Sequence, residues 1–388
     1  MKIRSPWLTR NLIILTLVSL SQDAASELLY PLLPLLITGV IGAAPFALGL
    51  IEGCAEAAAG FTKLYAGKAS DRIGRKPFVM VGYGLAGLGK AFVVTATVWP
   101  IVFFGRVIDR IGKGLRSTPR DALIHDSVPK ERLGSAFGFH RAGDTLGAVI
   151  GPLLALLGLS LLHNDIRRVA IWALIPALIS AFLTLFIRDN SRVLPKSQPA
   201  KRQSVRLPAN LQRAIVILVV IQLTNIPDVL LLLRLHDIGF STRGVVLAYV
   251  LFNVVSMLAA FPAGRLVDRF PPHIIYSMGL VAFAISYFML GYSSNHHIAL
   301  LALALYGFFP ALTDGVGKAW IAGLSEREHR GQAQGVYQAS MNFAVLGASI
   351  WGGALWTRHA QELPLMIAAT GAGLGAIALL IENFRNRQ

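Results

Sequence analysis

The chain of 388 residues carries 36 Lys and Arg against 20 Asp and Glu, one Cys and 54% hydrophobic residues. Only 14% of its residues are charged, against about 25% in a soluble globular domain, so a water-soluble fold of two or three domains is excluded. A single Cys rules out an internal disulfide and any Cys-based zinc or iron–sulfur site, and the net charge of +16 has meaning only once its positions are known.

Stretches long and apolar enough to cross a bilayer recur near 11–36, 46–66, 77–96, 99–118, 133–157, 169–187, 211–233, 244–263, 273–291, 297–318, 331–353 and 362–381. The first, fourth, fifth and tenth carry polar or charged residues. Turn-like segments such as Thr38–Pro45 and Ser293–His297 separate neighbours. With the N-terminus assigned to the cytoplasm, most loop Lys and Arg fall on that side. The opposite side holds Arg167, Arg168, Arg234, Arg243 and Arg358. This bias requires an even number of spans with both termini inside, and it removes the motive for a nucleic-acid partner. Lys2, Arg4 and Arg10 before an apolar run resemble a signal peptide. The run continues to Leu36 without a cleavage-like exit, so a retained first span is expected. The predicted fold is an all-α membrane protein with 12 transmembrane helices in two pseudo-symmetric six-helix bundles.

The first span places Asp23 and Glu27 four residues apart, on one helical face. Carboxylates stacked in a poorly hydrated site are the kind of group that carries a proton, and structural pairing with a basic residue of another helix is the alternative. Glu52 and Glu56 repeat the spacing in the second span, where Lys63 snorkels. The turn that follows reads Gly67-x-x-x-Asp71-Arg72-x-Gly74-Arg75-Lys76. Asp71 there can meet basic groups or the positive end of a helix, in one state and not another. Plain positive-side anchoring is the simpler reading of the basic residues. Lys90 in the third span reads as structural.

The fourth span is the most unusual. Arg106, Asp109 with Arg110, Lys113, and Arg116 with Arg120 recur every three to four residues and form a basic stripe on one face. Charges in hydrocarbon are costly unless paired or hydrated, so the stripe must face the bundle interior. Arg110, Lys113 and Arg116 would line a vestibule that attracts anions, or be neutralised by Asp109, Asp121 and Asp144. In the fifth span His140 and Asp144 face each other across one turn, and Gly147 to Gly151, followed by Pro152, permits close helix contact and a bend.

Residues 188–210 form a flexible cytoplasmic linker between an N-terminal bundle, 1–187, and a C-terminal bundle, 211–388. The second half carries Gln222, Asn225 and Asp228 at three-residue steps, Asn253, Tyr306, Asp314 with Lys318, and Tyr337, Gln338 and Asn342. Phe308, Phe309, Tyr306 and Trp320 form an apolar wall or pack as core. A shift of 197 residues lays Gly264-x-x-x-Asp268-Arg269 on Gly67-x-x-x-Asp71-Arg72, and Gly331, Ala333 and Gly335 on Gly134, Ala136 and Gly138. The halves therefore read as a duplication.

The Gly67–Lys76 motif resembles the signature between the second and third spans of the major facilitator superfamily, and Gly147-x-x-x-Gly151-Pro152 is similar to the Gly-Pro motif of its proton-coupled antiporters. The resemblance covers the whole chain through span count, linker and repeat, although Phe270-Pro271-Pro272 replaces the Gly-Arg-Lys after Asp268-Arg269. It implies a conformational lock at Gly67, Asp71, Arg72, Gly74, Arg75 and Lys76, eroded at Asp268 and Arg269. It implies proton-carrying acids in the first span. It also implies a buried arginine in the fourth, Arg106 by depth or Arg110 by register, that modulates a nearby acid. Proton coupling then falls on Asp23, Glu27, Arg106, Asp109, His140 and Asp144. The substrate cavity falls on Arg110, Lys113, Asn225, Asp228, Tyr306 and Asp314, since by resemblance the first, fourth, seventh and tenth spans line it. Gly147, Gly151 and Pro152 would gate or seal.

No nucleotide-binding loop is present, and Gly112-Lys113-Gly114 is too short for one. Scattered histidines, including His296-His297, make no metal-ligand set, so no cofactor or metal is expected and the chain is not read as an enzyme. The expected function is secondary active transport of a small organic solute across a bacterial cytoplasmic (inner) membrane by alternating access. A proton gradient would drive efflux of a drug or metabolite. The alternative is uptake by proton symport or facilitated diffusion, and more remotely a non-transporting receptor. The expected partners are the lipid bilayer, protons and the solute, with the chain a monomer.

Overall fold

The computed structural model describes residues 8–129, 132–189, 207–267, 269–325, 330–358 and 361–385. It contains helices and turns, with no β-strand among the described residues. The chain divides into two compact units, Met1–Ile41 with Cys54–Val205, and Gly42–Gly53 with Arg206–Gln388.

The first unit contains α1 (Arg10–Leu29), continued by a 3-10 turn at Tyr30–Leu32 and a π-helical turn at Leu35–Val40; most of α2 (Pro45–Ile73); α3 (Arg75–Thr95); α4 (Trp99–Ser127); α5 (Leu133–Leu161); and the sixth span, split into α6 (Ile166–Ile171) and α7 (Leu174–Leu183). Its most extensive helix pairs are α3 with α4 and α1 with α5. Lipid is as apolar as leucine, so helices in a bilayer gain little from the hydrophobic effect and associate by close packing of small residues. The α3–α4 seam shows this. A Cβ on Gly82 would lie 2.7 Å from the Gly112 carbonyl, and one on Gly105 2.7 Å from the Gly89 carbonyl. Phe104 (61% exposed), Leu88 and Phe92 point outwards, as lipid-facing residues do.

The second unit contains α8 (Ala209–Gln222), α9 (Asp228–Asp237), α10 (Thr242–Val267), α11 (Pro272–Tyr292), α12 (His296–Tyr306), α13 (Phe308–Gly323), α14 (Arg330–Arg358) and α15 (Glu362–Arg385). The first turns of α2 pack here. Phe46 donates its backbone N–H to Thr357 at 2.9 Å, and Gly49 lies against the α14 backbone at Ser349 and Gly353. The core is aromatic. Phe283 stacks on Tyr287 with ring centroids 3.9 Å apart, Phe252 on Tyr306 at 5.3 Å, and Phe309 meets Phe283 edge-on at 4.9 Å.

Eight helical segments among the described residues are long and apolar enough to cross a membrane. These include the first, fifth and tenth spans, whose polar residues are too few to disqualify them. The remaining spans are α2, α4 and α14, which are long but polar, and the pair α8–α9, which is broken. The seventh span is therefore not one helix. Pro227 has no N–H to give and disfavours helix in the residue before it, so Leu223–Pro227 leave the helix and Asp228 begins a new one. Gln222, Asn225 and Asp228 do not share a helical face. The tenth span breaks at Gly307, between α12 and α13.

Candidate functional site

In the first unit, α4 supplies the charges and its neighbours decide their state. Arg106 (3% exposed) and Asp109 (4%) are buried, as is Lys90 (1%) on α3. Lys90 Nζ lies 3.1 Å from Asp109 Oδ1, and an Arg106 nitrogen 3.5 Å from Asp109 Oδ2. One carboxylate thus serves two cations from two helices, because an unpaired buried charge is far costlier than a paired one. Arg110 reaches Glu56 of α2 at 3.1 Å. Arg116 lies over the Tyr83 ring, 4.5 Å from its centroid. Arg120 donates to Ser19 of α1 at 2.9 Å and pairs with Asp121 at 3.0 Å. The predicted stripe exists, but most of it is occupied by protein partners. Lys113 is exposed, and no side-chain hydrogen bond or ion pair is found for it among the described residues.

The second polar group lies between α1 and α5. Gly147 abuts the Leu20 carbonyl, with Asp23 Cβ 3.1 Å from the position of an added Cβ, and a Cβ on Gly151 would lie 2.6 Å from the Ala24 carbonyl. The small-residue run therefore packs α5 on α1, within its own half. Pro152 lies inside α5, which continues to Leu161. This seam carries the half-buried Asp23 and Glu27 towards Asp144. The charges acting on Asp23 are Asp144, Arg116, Arg120 and Glu27. His140 Nε2 stands 3.6 Å from Asp144 Oδ1, too long for a hydrogen bond, and His140 Nδ1 is 3.4 Å from the Thr16 hydroxyl. Asp23, Glu27, His140 and Asp144 are thus brought together. Arg106 and Asp109 form the separate cluster with Lys90.

The charged signature is more helical than the predicted turn. Gly67 to Arg72 form the last turns of α2, and the turn is confined to Gly74, whose φ of +110° suits glycine. Arg72 is exposed in the last turn of α2, where a cation complements the helix dipole. The carboxylate of Asp189, which follows the sixth span, accepts the backbone N–H groups of Arg75 (3.0 Å) and Lys76 (2.9 Å) and caps α3. Arg75 pairs with Asp126 and donates to the Ala122 carbonyl at 3.1 Å, both on α4. Lys76 Nζ donates to the Leu185 carbonyl at 2.9 Å. The Asp71 side chain and Asp268 lie outside the described residues, and Arg269 is exposed.

In the second unit, Tyr306 donates its hydroxyl to Asp228 at 2.6 Å, where the broken seventh span meets the break in the tenth. Asn225 Oδ1 is buried and has no hydrogen-bond partner among the described residues. Asp314 and Lys318 are exposed on α13, where Asp314 acts on Tyr276 and Tyr337. Tyr306 and Phe309 are buried core, Phe308 is exposed, and Trp320 sits beside His273. Three contacts escaped the sequence reading. The Lys90–Asp109 pair joins two helices whose sequences give no hint of one another's register. The cap by Asp189 spans more than a hundred residues. Arg234, read as a loop charge, is 4% exposed and donates to the Leu290 carbonyl at 3.0 Å and Gln361 at 2.7 Å.

Ionisable side chains paired between facing helices mark a functional interior rather than plain anchoring of a membrane bundle. The chain belongs to the Major Facilitator Superfamily, whose sequence profile matches residues 15–232 and 214–387. It is 28% identical over 380 residues to an uncharacterized MFS-type transporter of Methanocaldococcus jannaschii, covering 96% of this chain and 95% of that one. It is 25% identical over 365 residues to the multidrug resistance protein MdtH of Cronobacter sakazakii, covering 89% and 87%. Its fold matches that of the nucleoside transporter NupG with a TM-score of 0.79 at 13% identity, covering 96% and 99%. It also matches a D-xylose–proton symporter with a TM-score of 0.77 at 19% identity, covering 95% and 96%. The protein is accordingly an all-α, multi-pass membrane transporter of bacterial or archaeal type. It moves a small organic solute by alternating access, in a bundle of about twelve spans.

Proposed function

We propose that the chain is a proton symporter that takes up a small organic solute, rather than the efflux antiporter expected from the sequence. One observation carries this reading: the groups suited to hold a proton and those suited to orient a solute are different sets. Asp23, Glu27, His140 and Asp144 gather between α1 and α5 of the first unit. Asn225, Asp228 and Tyr306 gather at the helix breaks of the second. Separate sets can be filled together, as symport requires, whereas antiport by direct competition needs shared groups. In this reading Arg116 and Arg120 set the field at Asp23, while Arg106 and Asp109 stand in the separate cluster with Lys90. The segment from Gly67 through Asp71, Arg72, Gly74, Arg75 and Lys76, where α2 ends and α3 begins, locks one conformation, its counterpart at Asp268 and Arg269 having lost the basic tail. Both termini face the cytoplasm, in the cell's inner membrane, as the distribution of Lys and Arg supports.

The test is transport in liposomes under an imposed proton gradient. Solute should accumulate on the side that protons enter. Asp23→Asn combined with Glu27→Gln should abolish gradient-driven accumulation while solute exchange at equal concentrations persists. Accumulation unchanged in that double variant refutes the proton-site assignment, and expulsion of solute against proton entry refutes symport. Efflux is the second reading, supported by the multidrug resistance proteins among the curated relatives.

A further inference from the structure

The fourth helix holds a cation with no hydrogen bond or ion pair to its side chain among the described residues. Arg106 and Lys90 share Asp109, Arg110 holds Glu56, Arg116 covers Tyr83, and Arg120 is held by Ser19 and Asp121. Lys113 stands among them, exposed, with no hydrogen bond or ion pair found for its side chain among the described residues. Its direction follows from helix geometry. Nine residues at about 100° each place Lys113 opposite Phe104, the most exposed large apolar side chain of α4 (61%). Gly112 and Gly114, on either side of it, pack against α3 and α2 respectively. Lys113 therefore projects between two helix contacts, away from the apolar outer face of α4. The charges acting on it there are Arg110 and Arg116 of its own helix, Glu56 of α2 and Asp23 of α1. An exposed ammonium inside a membrane bundle, with no ion pair among the described residues, is a functional position by default.

We infer that Lys113 binds the anionic group of the transported solute, so that the substrate class is a small organic carboxylate or phosphomonoester. This rests on the transport reading above and specifies the solute it leaves open. It also gives the sign of coupling. Asp23 is one of two carboxylates acting on Lys113, so neutralising it makes this face more attractive to an anion, and by linkage the anion favours the neutral form of Asp23. A proton and an anion are then carried together.

The experiment measures thermal stabilisation of the purified full chain in detergent by matched solutes: carboxylates, phosphomonoesters, the corresponding alcohols, and the corresponding amines. Stabilisation should be confined to the carboxylate or the phosphomonoester series, and which series responds identifies the anion. Lys113→Ala should weaken it about tenfold or more, the scale of a charge-assisted hydrogen bond, with little change in the ligand-free melting temperature because no hydrogen bond or ion pair holds the side chain among the described residues. Lys113→Arg should retain part of it, and Asp23→Asn should tighten it. Stabilisation by alcohols or amines, by no anion at all, or by anions equally in Lys113→Ala overturns the inference. The measurement needs no gradient, so failed proton coupling in liposomes would leave the anion result standing, and the reverse.

Discussion

Asp109 shows what a single buried carboxylate does in a membrane helix. It lies between Lys90 and Arg106 with almost no exposure, so the two ways of breaking the pair differ. Asp109→Asn strands the Lys90 ammonium in a dry site and should cost about 3–5 kcal/mol. Lys90→Met leaves Asp109 with Arg106 and should cost clearly less. Thermal unfolding of both single variants and the double variant gives the coupling energy. Equal losses for the two single changes would show that Lys90 does not depend on Asp109.

At the scale of elements, glycine position separates contact from filler. A methyl group on Gly151 would meet the Ala24 carbonyl and the Leu28 N–H, each at 2.6 Å, whereas nothing lies within 4 Å of one on Gly138 of the same helix. Gly151→Ala should therefore destabilise by about 1–3 kcal/mol, as overpacking does, while Gly138→Ala should be neutral or slightly stabilising. A melting curve for Gly151→Ala that matches the wild type would remove the close α1–α5 approach. In the second unit, Arg234 ties α9 to the end of α11 and to Gln361 at the start of α15. Arg234→Met should cost about 1–3 kcal/mol through the stranded acceptors. Arg234→Lys should recover little of it, since an ammonium lacks the planar fork. Pro227 carries the signal for the break of the seventh span, while the three-residue steps of Gln222, Asn225 and Asp228 do not. Local backbone chemistry outweighed periodicity there.

At the scale of the whole molecule, the superfamily, the all-α class and the repeated succession of spans were readable from hydropathy, the bias of Lys and Arg, and the charged signature. Each rests on a requirement of the bilayer that every span must meet alone: length, internal backbone hydrogen bonding and charge kept at the ends. The sequence by itself also determined which residues are chemically out of place, namely the acids of α1 and the cations of α4. Only the tertiary structure decided their state. Lys90 and Arg106 meet one acid, Arg110 meets Glu56, the glycines of α5 draw Asp144 towards Asp23, and Lys113 is left exposed. Helical periodicity says which side chains share a face, but the charge that face presents depends on partners from other helices, and no single helix contains that information.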